Sequence, residues 1–278
     1  MATFGTTSGG NTSQDTNGNF IVGSYKTLTE LGQADSISAY IYKGAGANAK
    51  IKFALYDSSK NFIASTEEGT AVADDNYHMI TLNFAAPKPV LAAGDYWILI
   101  WLENTAGAVY QYCVNLTHGR NYEAKTYNGW PASVTLADHQ EIDPILYCTY
   151  TPKSPCTVTT GAASDIAQTT ATLNGSLDTM GDETSVDVTF QYGETDAYGT
   201  ETPGSTETAI GDISEGITGL TASTGYYFRI KAVGTYGTAY GADAEFTTLA
   251  AAVAEALKMG ALIRKLGLPN PQNVGVGL

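Results

Sequence analysis

The sequence predicts an all-β protein: two antiparallel β-sandwiches followed by one short helix and an extended tail. Three observations lead to this prediction. The 278 residues include 30 Gly and 18 Tyr but only 15% charged residues, a composition typical of short strands joined by tight turns. Apolar and polar residues alternate repeatedly along the chain as far as residue 248. The segment "LAAAVAEALKMGALIRKLG", residues 249–267, instead has the period of a helix.

Residues 1–152 contain about nine strand patterns and no helical period of useful length. In "ISAYIYK", Ile37 and Ile41 share one face of the predicted strand, while Tyr40 and Tyr42 share the other. "DYWILIWLEN" is apolar on both faces, which predicts a central strand that is covered on both sides. We therefore predict a two-sheet antiparallel sandwich, with a jelly roll as the favoured topology.

The stretch from "GSYKTLTELGQ" to "GDYWILIWLEN" resembles a class of jelly-roll modules found on microbial surface proteins and virion proteins. These modules are akin to carbohydrate-binding modules. The resemblance rests on a "SISAYI" strand, an "IKFALYD" strand and the pattern L-x-x-G-x-Y-W before the central strand. It implies the fold of the module and no particular ligand, because such modules differ in what they bind.

Residues 157–248 resemble the fibronectin type III family, and residues 153–156 form a proline-containing linker in front of them. "TTATLNGSLD" is similar to strand B of that family, "SVDVTFQYGET" to strand C and "AEFTT" to strand G. Leu220 followed by Tyr226 has the family's tyrosine-corner spacing, and Leu173 stands where the family has a tryptophan in strand B. The resemblance implies a spacer or a binding platform and no chemistry.

The C-terminal segment, residues 249–278, is predicted to attach the protein to a partner. An apolar arc covers more than half of the helix circumference, which is wider than a surface helix needs. The side chains of this arc are Leu249, Val253, Leu257, Met259, Leu262, Ile263 and Leu266. Because a helix this short is marginal in water, the arc needs a partner. The alternatives are its own sandwich, copies of itself, another protein of an assembly, or a membrane interface. We favour a homo-oligomer or docking onto another protein.

The charge argues against a nucleic-acid partner. The formal net charge is −14, and an acidic surface repels phosphate backbones. Acidity also keeps a tyrosine-rich surface soluble.

The sequence predicts a protein that is not an enzyme. It has only 3 His and none of the short motifs of serine hydrolases, zinc proteases, P-loop proteins or dinucleotide-binding domains. We therefore expect no catalytic residues and no cofactor. His139, Glu141 and Asp143 would share one face of an extended strand. That trio is consistent either with a metal or carboxylate site or with a solvated edge strand, and we favour the edge strand.

Aromatic residues around an Asn-Gly turn are the candidates for ligand binding. In "NYEAKTYNGWP", Tyr127 and Trp130 flank the turn, and Tyr122 lies six residues before it. Aromatic rings on loops bind sugars in many β-sandwiches, because the C–H face of a sugar packs on a π surface. In the alternative interpretation, Trp130 folds inward and caps the sandwich. The partner that the ligand interpretation implies is a cell-surface glycan.

Two further features leave alternatives open. In "DTNGN", Asp15, Asn17 and Asn19 occupy alternate positions, as in the opening of a calcium loop, but the rest of the EF-hand pattern is absent. The loop is therefore an ordinary polar turn or a weak candidate for a structural Ca²⁺ site. Cys148 and Cys156 flank "TYTPKSP", so they either form a disulfide bond or remain free thiols.

These observations lead to one expected function and one alternative. The N-terminus shows no signal-peptide pattern, and no apolar run is long enough to span a membrane. We expect a non-enzymatic structural and binding protein on a virion surface, such as a capsid decoration, a head fibre or a tail-associated receptor-binding protein. Its C-terminal helix would bind copies of itself or other virion proteins. The alternative is a secreted microbial adhesin or carbohydrate-binding accessory module, located outside the cell or on its surface.

Overall fold

The computed structural model divides the chain into two compact units, Met1–Lys153 and Ser154–Leu278. It describes residues 1–7, 12–15, 20–103, 109–115, 120–124, 128–139, 142–251, 262 and 265. Within that set it describes only the backbone of residues 12–15, 20, 109–115, 120–124, 137–139 and 142–144.

The described part of the first unit consists of strands only. They are β1 (Ala2–Thr6), β2 (Thr12–Asp15), β3 (Phe20–Leu28), β4 (Gly32–Lys43), β5 (Ala49–Asp57), β6 (Phe62–Ser65), β7 (Gly69–Ala71), β8 (Tyr77–Asn83), β9 (Val90–Leu91), β10 (Gly94–Leu102), β11 (Val109–Asn115), β12 (Arg120–Ala124), β13 (Ala137–His139), β14 (Ile142–Pro144) and β15 (Leu146–Pro152). The sequence patterns predicted about nine strands, which is fewer than the structure contains. The additional strands are short edge strands of two to five residues, which show little alternation.

These strands form two antiparallel sheets. In the first sheet the order is β1-β15-β4-β11-β14, with β8 and β9 on β4 and β2 on β11. In the second sheet the order is β13-β12-β3-β10-β5-β6, with β7 on β5. Ile37 and Ile41 of the first sheet and Phe53 and Ile98 of the second belong to one buried cluster. The predicted two-sheet sandwich is therefore confirmed, while the jelly-roll topology stays a prediction.

Strand β10 is apolar on both faces and buried on both, as the sequence predicts. Ile98 and Ile100 belong to the cluster between the two sheets. Trp97, Leu99 and Trp101 belong to a second buried cluster, on the outer face of the second sheet. An antiparallel sheet can leave its outer face in water, so burial of this face requires a covering segment.

The second unit is also built from two antiparallel sheets. Its described strands are β16 (Thr157–Thr160), β17 (Thr170–Thr179), β18 (Val186–Gly193), β19 (Thr200–Glu201), β20 (Ser205–Glu207), β21 (Gly211–Thr218), β22 (Gly225–Val233), β23 (Thr238–Tyr240) and β24 (Ala244–Thr247). One sheet has the order β16-β17-β21. The other has the order β19-β18-β22-β23, with β20 on β18 and β24 on β22.

The corner before β22 has the geometry that the spacing predicts. The hydroxyl of Tyr226 accepts a hydrogen bond of 2.9 Å from the backbone N–H of Thr221. Leu220 is buried, and so is Leu173, which replaces the tryptophan of strand B. The second unit is a fibronectin type III-like β-sandwich.

Cys148 and Cys156 are free thiols. Cys148 and Cys156 are both buried, but Cys148 packs in the core of the first unit and Cys156 in the core of the second. Each thiol is thus enclosed by its own apolar cluster, and the structure corresponds to the free-thiol alternative.

The predicted helix does not begin at residue 249. The N–H of Leu249 donates to the carbonyl of Ala167 at 3.0 Å, and its carbonyl accepts from Ser223 at 3.1 Å. These two bonds hold Leu249 against the second sandwich, so the chain is not free to begin a helix there. The structure defines no helical element among the described residues, so it does not support the C-terminal helix.

Of the other residues in the predicted apolar arc, the structure describes only Leu262. Leu262 has a helical backbone and a side chain that is 54% exposed. The remaining members, Val253, Leu257, Met259, Ile263 and Leu266, lie outside the described residues.

Candidate ligand-binding site

Three tyrosine rings form a cluster on the outer face of the first sheet. Strands β4 and β8 pair so that Tyr42 lies opposite Tyr77 and Tyr40 lies opposite Met79. The rings of Tyr40 and Tyr77 are stacked, with centroids 5.4 Å apart and an interplanar angle of 18°. The ring of Tyr42 lies 5.1 Å from that of Tyr77 and is tilted. Tyr40, Tyr42 and Tyr77 are called the tyrosine surface below.

The tyrosine surface is accessible. Each of its three rings is half-buried, and Met79 beside them is 45% exposed. Apolar rings left in contact with water on a sheet face are the kind of surface that binds a ligand.

A carboxylate, that of Asp75, borders the tyrosine surface. Asp75 accepts a hydrogen bond of 3.1 Å from the hydroxyl of Tyr42 and one of 2.8 Å from the backbone N–H of Ala45. It holds this position with a φ of 59°, in the left-handed region that Asp tolerates better than most residues. These bonds fix the loop after β4 against the ring of Tyr42.

A second carboxylate lies next to the first. Both oxygens of Asp74 lie within 2.9 Å of Nε2 of His78, and one also accepts from the N–H of Asn76 at 3.1 Å. The hydrogen bond to His78 is the main cause that lowers the pKa of Asp74 below its usual value. Asp74 is therefore ionised near neutral pH.

The row of paired residues that contains Tyr77 and Tyr42 continues across the first sheet to β2. Tyr110 of β11 lies opposite Tyr42, and Asp15 of β2 lies opposite Tyr110. The four strands β8, β4, β11 and β2 thus contribute Tyr77, Tyr42, Tyr110 and Asp15 to one row of register positions.

The outer face of the second sheet carries a different aromatic set. Cross-strand pairing places Tyr25, Trp97, Tyr56 and Phe62 in one row across β3, β10, β5 and β6. The two ends of the row are exposed, at 44% for Tyr25 and 38% for Phe62, but the two middle rings are buried. We call this face, together with Trp101, the tryptophan face.

Residues 128–136 cover the middle of the tryptophan face and are called the cover segment. The hydroxyl of Tyr56 donates to the carbonyl of Pro131 at 2.6 Å. The N–H of Phe62 donates to the carbonyl of Ala132 at 2.8 Å. Val134 and Leu136 are buried against the face. The cover segment therefore explains why both faces of β10 are apolar.

Trp130 is part of the cover. Its ring meets that of Trp101 edge-on with centroids 5.2 Å apart, and that of Tyr56 at 6.1 Å. The side chain is half-buried. This packing corresponds to the capping alternative, and a role of Trp130 in ligand binding stays a prediction.

A lysine lies between the cover segment and the sheet. The ammonium of Lys52 lies 4.6 Å from the ring centroid of Trp101 and 5.7 Å from that of Trp130. It donates a hydrogen bond to the backbone carbonyl of Asn128. Removal from water lowers the pKa of Lys52.

The other sequence candidates are not assembled into a site by the described residues. The backbone of Tyr122 lies in β12, but its side chain is not described, and Tyr127 lies outside the described residues.

The same holds for the predicted calcium loop and the histidine trio. Asp15 ends β2, and Asn17 and Asn19 lie outside the described residues. His139 and Asp143 have described backbones only, and Glu141 lies outside that set. The described part of the chain contains no group of three or more His, Cys, Asp or Glu side chains arranged for a metal ion.

Sequence reasoning identified none of Tyr40, Tyr42, Tyr77 and Asp75 as a site residue, and placed only Tyr40 and Tyr42 on one face of a strand. The alternation of Tyr77, Met79 and Thr81 is a period-two signal that places these three residues on one face of a strand. The contact with Tyr40 and Tyr42 depends on non-local register, which this alternation does not contain.

The second unit carries an aromatic stack of its own. The guanidinium of Arg229 lies 4.7 Å from the ring centroid of Tyr198 and 4.2 Å from that of Tyr240. The Tyr198 hydroxyl donates to the carboxylate of Asp243. Burial, followed by this hydrogen bond, raises the pKa of Tyr198 to about 12. The stack is satisfied by its own members and serves to brace the sheet.

Comparison with known proteins yields no family. No protein-family model matches the chain, and no curated protein matches it. Among solved structures, it is similar to the sensor domain of the anti-sigma factor RsgI4 in Pseudobacteroides cellulosolvens. That match has 21% identity and a TM-score of 0.30, and it covers 34% of this chain and 74% of the other.

Two other solved structures illustrate how general the resemblance is. The FN1-FN3 domains of chicken CNTN1 match at 8% identity and a TM-score of 0.27, over 88% of this chain and 68% of theirs. The glycoside hydrolase domain of Endo-D from Streptococcus pneumoniae R6 matches at 14% identity and a TM-score of 0.24. This match covers 85% of this chain and 32% of the other. Similarities this low carry no argument about function.

In the described part of the chain, no helix is long and apolar enough to cross a membrane.

Proposed function

We propose that this chain is a non-enzymatic binding protein whose tyrosine surface binds a glycan. The proposal rests on the half-buried cluster of Tyr40, Tyr42 and Tyr77, which is bordered by Asp75.

The chemistry of the surface suits a sugar. The C–H groups on one face of a pyranose ring pack against aromatic rings, while its hydroxyls donate hydrogen bonds to carboxylates. The tyrosine surface supplies rings, and Asp75 supplies carboxylate oxygens at its edge. The carboxylate of Asp75 is exposed, so a ligand reaches it without rearrangement of the sheet.

A glycan array of the full chain tests the proposal. We expect a glycan that binds the wild type and loses about two- to tenfold in affinity when Tyr77 is replaced by Ala, since one aromatic contact is worth about 0.5–1.5 kcal/mol. Tyr240→Ala is the matched control, because Tyr240 is an exposed tyrosine of the second unit. Binding that is equal in both variants contradicts the proposal.

The place of display is a separate part of the proposal. We propose a virion surface, with attachment through residues 249–278 to copies of the chain or to other virion proteins. Deletion of residues 249–278 is then expected to abolish self-association or docking. Light scattering of the chain, alone and mixed with other proteins of the virion, measures this. An unchanged mass and unchanged docking contradict this attachment.

A secreted or cell-surface adhesin would use the same tyrosine surface. Mass spectrometry separates the two, because a virion protein is recovered with purified particles and an adhesin with the medium or the cell surface.

A further inference from the structure

The cover segment begins with an Asn-Gly dipeptide whose peptide group is bound by a lysine. Asn128 and Gly129 are both exposed, and a Cβ added to Gly129 would meet no atom within 4 Å. The ammonium of Lys52 donates to the backbone carbonyl of Asn128. That carbonyl belongs to the same peptide group as the nitrogen of Gly129. We propose that Asn128 is a site of self-deamidation and that Lys52 activates the nitrogen of Gly129 for the reaction.

The reaction needs only the chain and water. The nitrogen of Gly129 loses its proton and attacks Cγ of Asn128, which forms a new C–N bond and closes a succinimide ring. The bond from Cγ to Nδ2 breaks, and Nδ2 leaves as ammonia with the proton that balances it. Water then opens the ring at either carbonyl, giving aspartate or isoaspartate. One water is consumed and one ammonia is released.

Lys52 assists the first step through the carbonyl oxygen. When a peptide nitrogen loses its proton, much of the negative charge moves to the carbonyl oxygen of the same group. A charge-assisted hydrogen bond to that oxygen stabilises the anion more than a neutral one does. Because Lys52 already occupies this position, no rearrangement is needed when the anion forms.

The described residues around Asn128 do not hinder the reaction. Among the described residues, none forms a hydrogen bond with the side-chain amide of Asn128 or accepts one from the N–H of Gly129. Gly129 has no side chain to obstruct the ring, and the space beside its Cα is open.

A second Asn-Gly dipeptide in the same chain serves as an internal control. Asn174 and Gly175 lie inside β17, where they are paired with Ser214 and Ile213 of β21. Nδ2 of Asn174 donates to the carbonyl of Ala162 at 2.8 Å and to Oγ of Ser164 at 3.1 Å. Its Oδ1 accepts from Oγ of Ser214 at 2.8 Å. Attack by Gly175 would require these three bonds and the strand pairing to break.

Deamidation would alter the cover segment next to Trp130. Aspartate at position 128 places a new negative charge beside Lys52. Isoaspartate adds one methylene to the backbone two residues before Trp130, whose ring packs on Trp101. The proposal is independent of glycan binding, because the tyrosine surface lies on the other sheet.

Peptide mass spectrometry of the full chain, incubated at mildly alkaline pH, tests the site. We expect conversion of amide to acid at Asn128 to be roughly 100-fold faster than at Asn174. The side chain of Asn174 must break three hydrogen bonds before it reacts, and each of them slows the reaction severalfold. The Asn17-Gly18 dipeptide lies in a different peptide and is counted separately. Gly129→Ala, which fits the open space, is expected to suppress the reaction. Equal rates at Asn128 and Asn174 overturn the proposed site.

Two lysine variants test the activation. Lys52→Arg keeps a cation near the carbonyl and is expected to retain most of the rate, whereas Lys52→Met keeps the aliphatic stem and is expected to slow it severalfold. Circular dichroism confirms that both variants are folded. Equal rates in Lys52→Met and wild type overturn the role of Lys52, even if Asn128 still reacts fastest.

Discussion

The two outer faces of the first sandwich both carry aromatic rings but differ in what lies over them. On the first sheet, Tyr40, Tyr42 and Tyr77 are half-buried and stay in contact with water. On the second sheet, Trp97 and Trp101 are buried in one cluster with Val134 and Leu136 of the cover segment, and the ammonium of Lys52 lies over the ring of Trp101. Aromatic residues on a sheet face therefore do not by themselves indicate a binding site. The segment above them decides whether they bind or pack.

The chemistry of the side chains explains the two outcomes. A large ring buries about 150–250 Å² when it is covered, so two adjacent tryptophans on one face are a strong reason for the chain to fold back over them. Tyrosine carries a hydroxyl that remains hydrated or hydrogen-bonded at the surface, as Tyr42 does with Asp75. The tyrosine surface can therefore stay accessible at a lower cost in free energy.

The largest effect is expected for removal of a covered ring. Trp101 is fully buried, so Trp101→Ala should lower the free energy of unfolding by about 3–5 kcal/mol. Tyr77→Ala, on the accessible face, is the matched variant and should cost clearly less. Urea unfolding followed by tryptophan fluorescence reports on the first unit alone, because all 3 Trp lie in it. Similar losses of unfolding free energy in the two variants would contradict the distinction between a covered and an accessible face.

A medium effect is expected at Trp130. Its ring is half-buried against Trp101 and Tyr56, so Trp130→Ala should lower the free energy of unfolding by about 1–3 kcal/mol. Trp130→Phe should recover part of the loss. Thermal unfolding of both variants measures this, and an unchanged Tm in Trp130→Ala would show that the cover segment does not depend on this ring.

The smallest effect is expected in the loop before β8, where pH changes the charge of Asp74. Its pKa is lowered in the folded protein, chiefly by the hydrogen bond to His78. The stabilisation is therefore present above the ordinary value of 3.8 and is lost as the pH falls through the lowered pKa. NMR titration should show the pKa of Asp74 rising toward its ordinary value in His78→Ala. An unchanged pKa would mean that His78 is not the cause.

Much of the fold follows from local patterns in the sequence. The six-residue spacing of Leu220 and Tyr226 predicted the corner of the second sandwich, because that motif depends on residues close in sequence. The apolar residues on both faces of "DYWILIWLEN" predicted a covered central strand. The pattern did not identify residues 128–136 as the cover, because the contact joins segments about thirty residues apart whose pairing depends on register.

The candidate site was less predictable for the same reason. Tyr40 and Tyr42 were placed on one face by alternation, but their contact with Tyr77 depends on the antiparallel pairing of β4 and β8. The start of the C-terminal helix at Leu249 was wrong because two non-local backbone hydrogen bonds hold that residue against the sandwich. Local periodicity contains no information about such bonds.

The most direct test of the account is a titration of the Tyr77→Ala and Trp130→Ala variants with the glycan selected on the array. It is done by calorimetry at a temperature at which both variants are folded. If the glycan binds to the tyrosine surface, Tyr77→Ala loses about two- to tenfold in affinity, the value of one aromatic contact, while Trp130→Ala binds as the wild type does. Loss of binding in Trp130→Ala together with full binding in Tyr77→Ala would contradict it and would move the site to the tryptophan face.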